Sequence, residues 1–99
     1  MNVTLESRVT VSPEVMMQEV SGEAVLLDLE SERYFGLDAV GTRIWRLIEH
    51  DGDLRAVHAA LLAEYDVDAA CLEQDLRELV GRLANAGLVT VSAAHAQEA

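Results

Sequence analysis

The feature that most constrains this chain is a single change of hydrophobic period. Over the first third, apolar residues alternate with polar ones or fall in short runs of β-compatible residues; from Asp38 onward they recur every three to four positions. Period two lays an apolar face on a strand, and period 3.6 lays one on a helix. The change occurs once, so strands come first and helices follow, the layout of an α+β domain. No internal repeat or low-complexity segment interrupts it.

Arg8 to Val11 alternates polar and apolar before Ser12-Pro13 interrupts it. Val15 to Val20 is a strand that stops at the turn dipeptide Ser21-Gly22. Glu23 to Leu29 follows, with Val25, Leu27 and Leu29 on one face and Leu26 on the other, a pattern that expects cover on both sides. Glu30-Ser31-Glu32 is a short polar connection, and Arg33-Tyr34-Phe35-Gly36-Leu37 makes the third strand. Connections this short favour an antiparallel meander.

Asp38 is a good N-cap for a first helix, with Val40, Ile44, Leu47 and Ile48 on one face and Trp45 at its edge. His50-Asp51-Gly52 ends it, and Asp53 caps a second helix striped by Leu54, Val57, Leu61, Leu62 and Tyr65. A third helix is expected from about Ala69 to Asn85, its seam made by Leu72, Leu76, Leu79 and Leu83 with Val80 beside it. Glu73–Arg77 and Glu78–Arg82 have the favourable acid-first i,i+4 order. Ala86-Gly87 resembles a C-cap, Leu88 to Val91 a short extended segment, and residues 92–99 a flexible tail. The expectation is a three-stranded antiparallel sheet followed by three helices, a winged-helix-like arrangement with the sheet placed first. Residues 1–91 form one domain.

Eighteen acids against seven bases give a formal net charge of −11, and every base is arginine. That surface repels phosphate backbones and anionic headgroups, so neither a nucleic acid nor a membrane is an expected partner. The N-terminus lacks the basic-then-apolar pattern of a signal peptide, and Cys71 is the sole cysteine, so no intrachain disulfide forms. The chain reads as cytoplasmic.

Nor do the residues assemble a reaction centre. His50, His58 and His95 share no metal-ligand spacing with one another or with Cys71. Cys71 opens the third helix, but Asp68, Glu73 and Asp75 surround it and oppose a thiolate. The six glycines are scattered, with no phosphate-cradling spacing. No metal, no cofactor and no catalysis by this chain alone are the expectations.

The run Glu23-Ala24-Val25-Leu26-Leu27-Asp28-Leu29-Glu30-Ser31-Glu32-Arg33-Tyr34-Phe35-Gly36-Leu37-Asp38-Ala39-Val40-Gly41-Thr42-Arg43-Ile44-Trp45 pairs an apolar strand, a turn, an aromatic strand and a helix bearing Ile-Trp. With Leu61 to Asp68, Asp75 to Leu83 and Ala86-Gly87-Leu88-Val89, it resembles the PqqD family and the wider set of RiPP recognition elements. The likeness spans roughly residues 8–91. Glu32 stands where many relatives have Gly, and Asp38 where many have Asn.

The resemblance implies non-catalytic binding of the leader segment of a ribosomally made precursor peptide by strand addition. The bound leader is then presented to a radical SAM enzyme, a leader peptidase or a cyclase, in pyrroloquinoline quinone, lasso-peptide or other peptide natural-product synthesis. It puts the leader between the third strand and the third helix. The candidate contacts are Arg33, Tyr34, Phe35 and Gly36 on the strand and Leu72, Asp75, Leu76 and Leu79 on the helix. An open strand edge also permits a homodimer. Two other readings stand beside this one: a winged-helix transcriptional regulator or other protein-interaction adaptor, and a thiol enzyme using Cys71. Four acids against two arginines in residues 68–85 count against the regulator.

Overall fold

The computed structural model describes residues 3–93. Their order is β1 (Ser7–Val11), β2 (Val15–Val20), β3 (Glu23–Asp28), β4 (Arg33–Leu37), α1 (Ala39–His50), α2 (Leu54–Glu64), α3 (Ala69–Asn85) and β5 (Val89–Ala93). The expected meander is β2-β3-β4, antiparallel throughout. Ser21 and Gly22 both take positive φ, 55° and 85°, the backbone twist that a two-residue hairpin needs. The β3–β4 turn is built differently. Asp28, buried, accepts from the Glu30 N–H at 3.1 Å and from the Ser31 hydroxyl at 2.9 Å, and Glu32 closes the turn at φ 62°.

The sequence expectation omits one sheet. Arg8 to Val11 and the extended segment after Gly87 find each other: β1 pairs antiparallel with β5, Val9 opposite Val91, in a second, two-stranded sheet. More than seventy residues separate the two strands, so nothing local in either announces the pairing. β5 ends at Ala93, and most of the expected tail, His95 included, lies outside the described residues.

All three helices begin as the caps dictate. Asp38, Asp53 and Asp68 have extended backbones, and their carboxylates accept from Gly41, Arg55 and Cys71 N–H groups respectively. α3 ends in a Schellman motif: Gly87, at φ 80°, donates to the Ala84 carbonyl, and Leu88 donates to that of Leu83, with both leucines buried.

Ala24, Leu26 and Leu37 of the meander face Ile44, Trp45 and Ile48 of α1, Leu54, Val57 and Leu61 of α2, and Leu72, Leu76, Val80 and Leu83 of α3 in one core. Trp45 is fully buried rather than at the edge, because α1 packs against β3 and β4, against α2 and against β1. His58 is likewise buried, its Nε2 2.9 Å from the Ala69 carbonyl oxygen, a bond that ties α2 to the start of α3. Thr42 accepts from the Ala24 N–H at 2.8 Å and pins α1 to β3.

Candidate functional site

β4 is the last strand of the meander, and among the described residues it pairs with β3 alone. Its other edge therefore presents backbone donors and acceptors with no strand beside them. Beyond the C-terminal half of β4, a groove of about 620 Å³ opens between β4, the first turns of α1 and the flank of α3. Leu37 and Ile44, both buried, and half-buried Leu79 give it an apolar floor, which Val40 extends.

The α3 wall is a row at helical spacing: Asp75, Glu78, Leu79 and Arg82. Asp38, whose carboxylate accepts from the Gly41 N–H at 2.7 Å, adds a third acid at the α1 end. Arg82 lies over the Phe35 ring, 5.5 Å from its centroid, and spans the groove's end from α3 to β4. The expected Glu78–Arg82 pair gives way to this contact, and Glu78 accepts from Gln74 Nε2 at 3.2 Å instead. An exposed i,i+4 pair contributes only ~0.3–0.5 kcal/mol, and a cation over a ring face competes with that. The other expected pair, Glu73–Arg77, is present at 4.0 Å.

Of the eight residues proposed from sequence, the structure brings Gly36, Asp75 and Leu79 together in the groove and sets Phe35 at its end. Arg33 is exposed at the far end of β4. Tyr34, 73% exposed, points to the opposite face of the sheet. Leu72 and Leu76 do not reach the groove. Both are buried in the core, Leu76 at 0% exposure. The inward seam of α3 is Leu72, Leu76, Val80 and Leu83, so Leu79 and Val80 exchange the roles assigned from sequence. One residue of helix is a 100° turn, and a seam of leucines does not fix its own centre to within that angle.

Sequence reasoning missed Glu78 and Arg82, which lie three and seven positions beyond Asp75 and follow from the same helical row. It also missed Val40, Gly41 and Ile44, which depend on how α1 crosses the sheet and carry no signal in the chain itself.

No group of three His, Cys, Asp or Glu among the described residues can hold a metal ion. The exposed Cys71 thiol is pushed above its ordinary pKa, chiefly by a hydrogen bond to the Asp68 carboxylate, then by the charge of Asp68, desolvation and the charge of Asp75. That is the opposite of an activated nucleophile.

Two solved structures share the fold closely. One is TbiB1 in complex with the TbiA(beta) leader peptide, 42% identical with a TM-score of 0.77 over 81% of this chain and 93% of that one. The other is lasso peptide synthetase B1 complexed with the leader peptide, 25% identical with a TM-score of 0.76 over 84% of this chain and 98% of that one. No curated relative matches. The family model described as coenzyme PQQ synthesis protein D matches residues 23–89, more than half of the chain, from β3 through the groove-forming elements to the first residue of β5. By that match and the 42% identity, this chain belongs to the PqqD family.

Proposed function

We propose that this chain binds the leader segment of a ribosomally made precursor peptide and presents it to a separate modifying enzyme, without catalysing a step itself. The observation that carries the reading is the unpaired edge of β4 running beside an apolar-floored groove. A leader adds there as a fourth strand: backbone hydrogen bonds supply affinity, and alternate side chains enter the groove. That the similar TbiB1 and lasso peptide synthetase B1 structures are both leader-peptide complexes supports it. The same likeness favours a lasso-type pathway over cofactor synthesis, with a leader peptidase or cyclase, rather than a radical SAM enzyme, as the recipient.

The magnitudes are adequate. Each apolar anchor buried on Leu79 and Ile44 contributes ~1.5–3 kcal/mol, and each strand hydrogen bond about 1 kcal/mol. Ordering the leader costs ~2–5 kcal/mol. Asp38, Asp75 and Glu78 favour a leader with a basic residue over the α3 wall, and Arg82 favours an acid at the other end. A single cysteine fits a reducing, cytoplasmic setting.

Calorimetric titration with synthetic leaders from the cognate precursor tests this reading. The expected result is one saturable site with a Kd of roughly micromolar or below. A folded domain that ignores every cognate leader overturns it.

A further inference from the structure

We infer that the outer face of the β2-β3-β4 sheet is a second docking surface, one that seats the enzyme acting on the bound precursor through an apolar patch rimmed by arginine or lysine. The inference rests on the leader-binding reading above and concerns a different part of the molecule.

The sheet is asymmetric in an unusual way. Register puts Met16, Leu27 and Tyr34 in one cross-strand row, Gln18, Val25 and Gly36 in the next, and Val20 beside Glu23 at the end. These residues share the face opposite the buried Ala24, Leu26 and Leu37. A solvated sheet face is normally polar. Here Met16 (56% exposed), Val20 (65%), Val25 and Tyr34 make four of the seven large exposed hydrophobics among the described residues. Single exposed apolar side chains need no explanation, but a contiguous patch marks an interaction site.

The patch also has relief. A hollow of about 590 Å³ lies at its end, bounded by Val20, Glu23, Val25, Gly36 and Asp38. Nothing lies within 4 Å of where a Cβ on Gly36 would stand. On the edge strand, the absent side chain of Gly36 leaves open space next to Val25 and the hollow, room for a partner's side chain to lie against the apolar face.

Charge selects the occupant. Glu23 lies on the face, Asp38 borders the hollow, and Glu30 and Glu32 outnumber the exposed Arg33 at the turn end, while neither cross-strand row contains a base. At a net charge of −11, a second copy would bring the same acidic rim, and an anionic membrane is repelled as well. A basic rim is attracted and steered. Position agrees: hollow and groove share the end of β4, so an enzyme seated in one stands beside a leader lying in the other.

The triple variant M16T/V20T/V25T places β-branched threonine at each strand position and strips the apolar surface. Wild type and variant are each titrated with the purified enzyme that processes the precursor and with the synthetic leader, at low and high salt. The chain alone is sedimented in parallel. The expected outcome is enzyme binding weakened by about tenfold or more in the variant with leader affinity held within about twofold. Enzyme affinity falls with salt, E23K slows association, and the chain alone is a monomer. Unchanged enzyme binding in the folded variant, or a wild-type dimer that the variant abolishes, overturns the inference. A wild-type chain that binds the enzyme through this face but binds no leader sinks the groove reading and sustains this one.

Discussion

Strands β1 and β4 are both five residues long, yet one is enclosed and the other is left open. β1 has partners on both sides. β5 lies along one, and the Gly52–Asp53 segment closes the other through a 2.8 Å bond from the Val9 N–H to the Gly52 carbonyl and a bridge between Arg8 and Asp53. The Ser12 N–H then reaches the Leu88 carbonyl at 3.0 Å. β4 has β3 on one side and, among the described residues, no strand on the other. A strand satisfied on both edges contributes to holding the fold, whereas one satisfied on a single edge can accept a guest. The difference assigns stability to the first strand and recognition to the second, and substitutions should separate the two.

The largest effect is expected where both strands depend on the same support. Leu76 lies at 0% exposure in the one core to which Val9 of β1 and Leu37 of β4 also contribute. Leu76→Ala should destabilise the domain by about 2–5 kcal/mol, read as a shifted denaturant midpoint. A smaller cost would mean that the α3 seam is not the common foundation.

Gly52 is the sharper test of the closed strand. A Cβ there would fall 2.0 Å from the Val9 carbonyl oxygen, which is backbone and cannot step aside. Gly52→Ala should cost about 1–3 kcal/mol by forcing β1 away. Leader affinity per folded molecule should not change, because the groove shares no residue with this contact.

The open strand should behave in the reverse manner. Leu79→Ser removes the half-buried leucine from the groove floor and should weaken leader binding roughly tenfold, about 1.4 kcal/mol, with only a small change in the melting transition. Equal losses of stability and binding would erase the distinction between the two strands.

Glu32 gives a smaller effect of opposite sign. It enters β4 at φ 62°, where an L-residue is disfavoured by roughly 1–2 kcal/mol and glycine is not. Glu32→Gly should raise stability by up to about 1 kcal/mol, the gain being reduced by glycine's greater freedom in the unfolded chain. Leader affinity should hold, since Glu32 does not line the groove.

The smallest effect belongs to the exposed clamp between α1 and α2. There Arg43 Nε and Nη2 donate to the Glu64 carboxylate at 2.9 and 2.5 Å. The hydrogen bonds from Arg43 hold the Glu64 carboxyl below its ordinary pKa. A depressed carboxylate contributes stability above its unfolded pKa and loses it as pH falls through the folded value. Wild type should therefore exceed Glu64→Gln slightly in melting temperature at neutral pH, and the gap should close in acid, below about pH 4. A gap independent of pH would show that the clamp acts through packing alone.

Much of this was legible in the chain. The hairpin at Ser21-Gly22, the three aspartate caps, the glycine that ends α3 and the meander all follow from residues within a few positions of one another. Asp75, Leu79 and Gly36 are named as groove residues by the family resemblance, which puts a leader between the third strand and the third helix. Three features could not be read. The β1–β5 pair joins the two ends of the described chain. On α3, Val80 takes the inward place that the leucine seam gave to Leu79, while Leu72 and Leu76 stay in the core and do not reach the groove. Alternation sets Tyr34 and Phe35 on opposite faces of β4, but only the packing of the sheet decided that Phe35 turns toward the groove and Tyr34 away from it.

By itself, the sequence determined the elements, their order, their caps and their turns, because those rest on φ/ψ preference, side-chain-to-backbone hydrogen bonds and apolar period, all local to a few residues. Tertiary structure decided which edge of the meander borders the groove, which flank of α3 walls it, and which face of the meander is left bare. Each of these depends on where a distant segment settles, and a segment's position is fixed by the burial of the whole core rather than by its own residues.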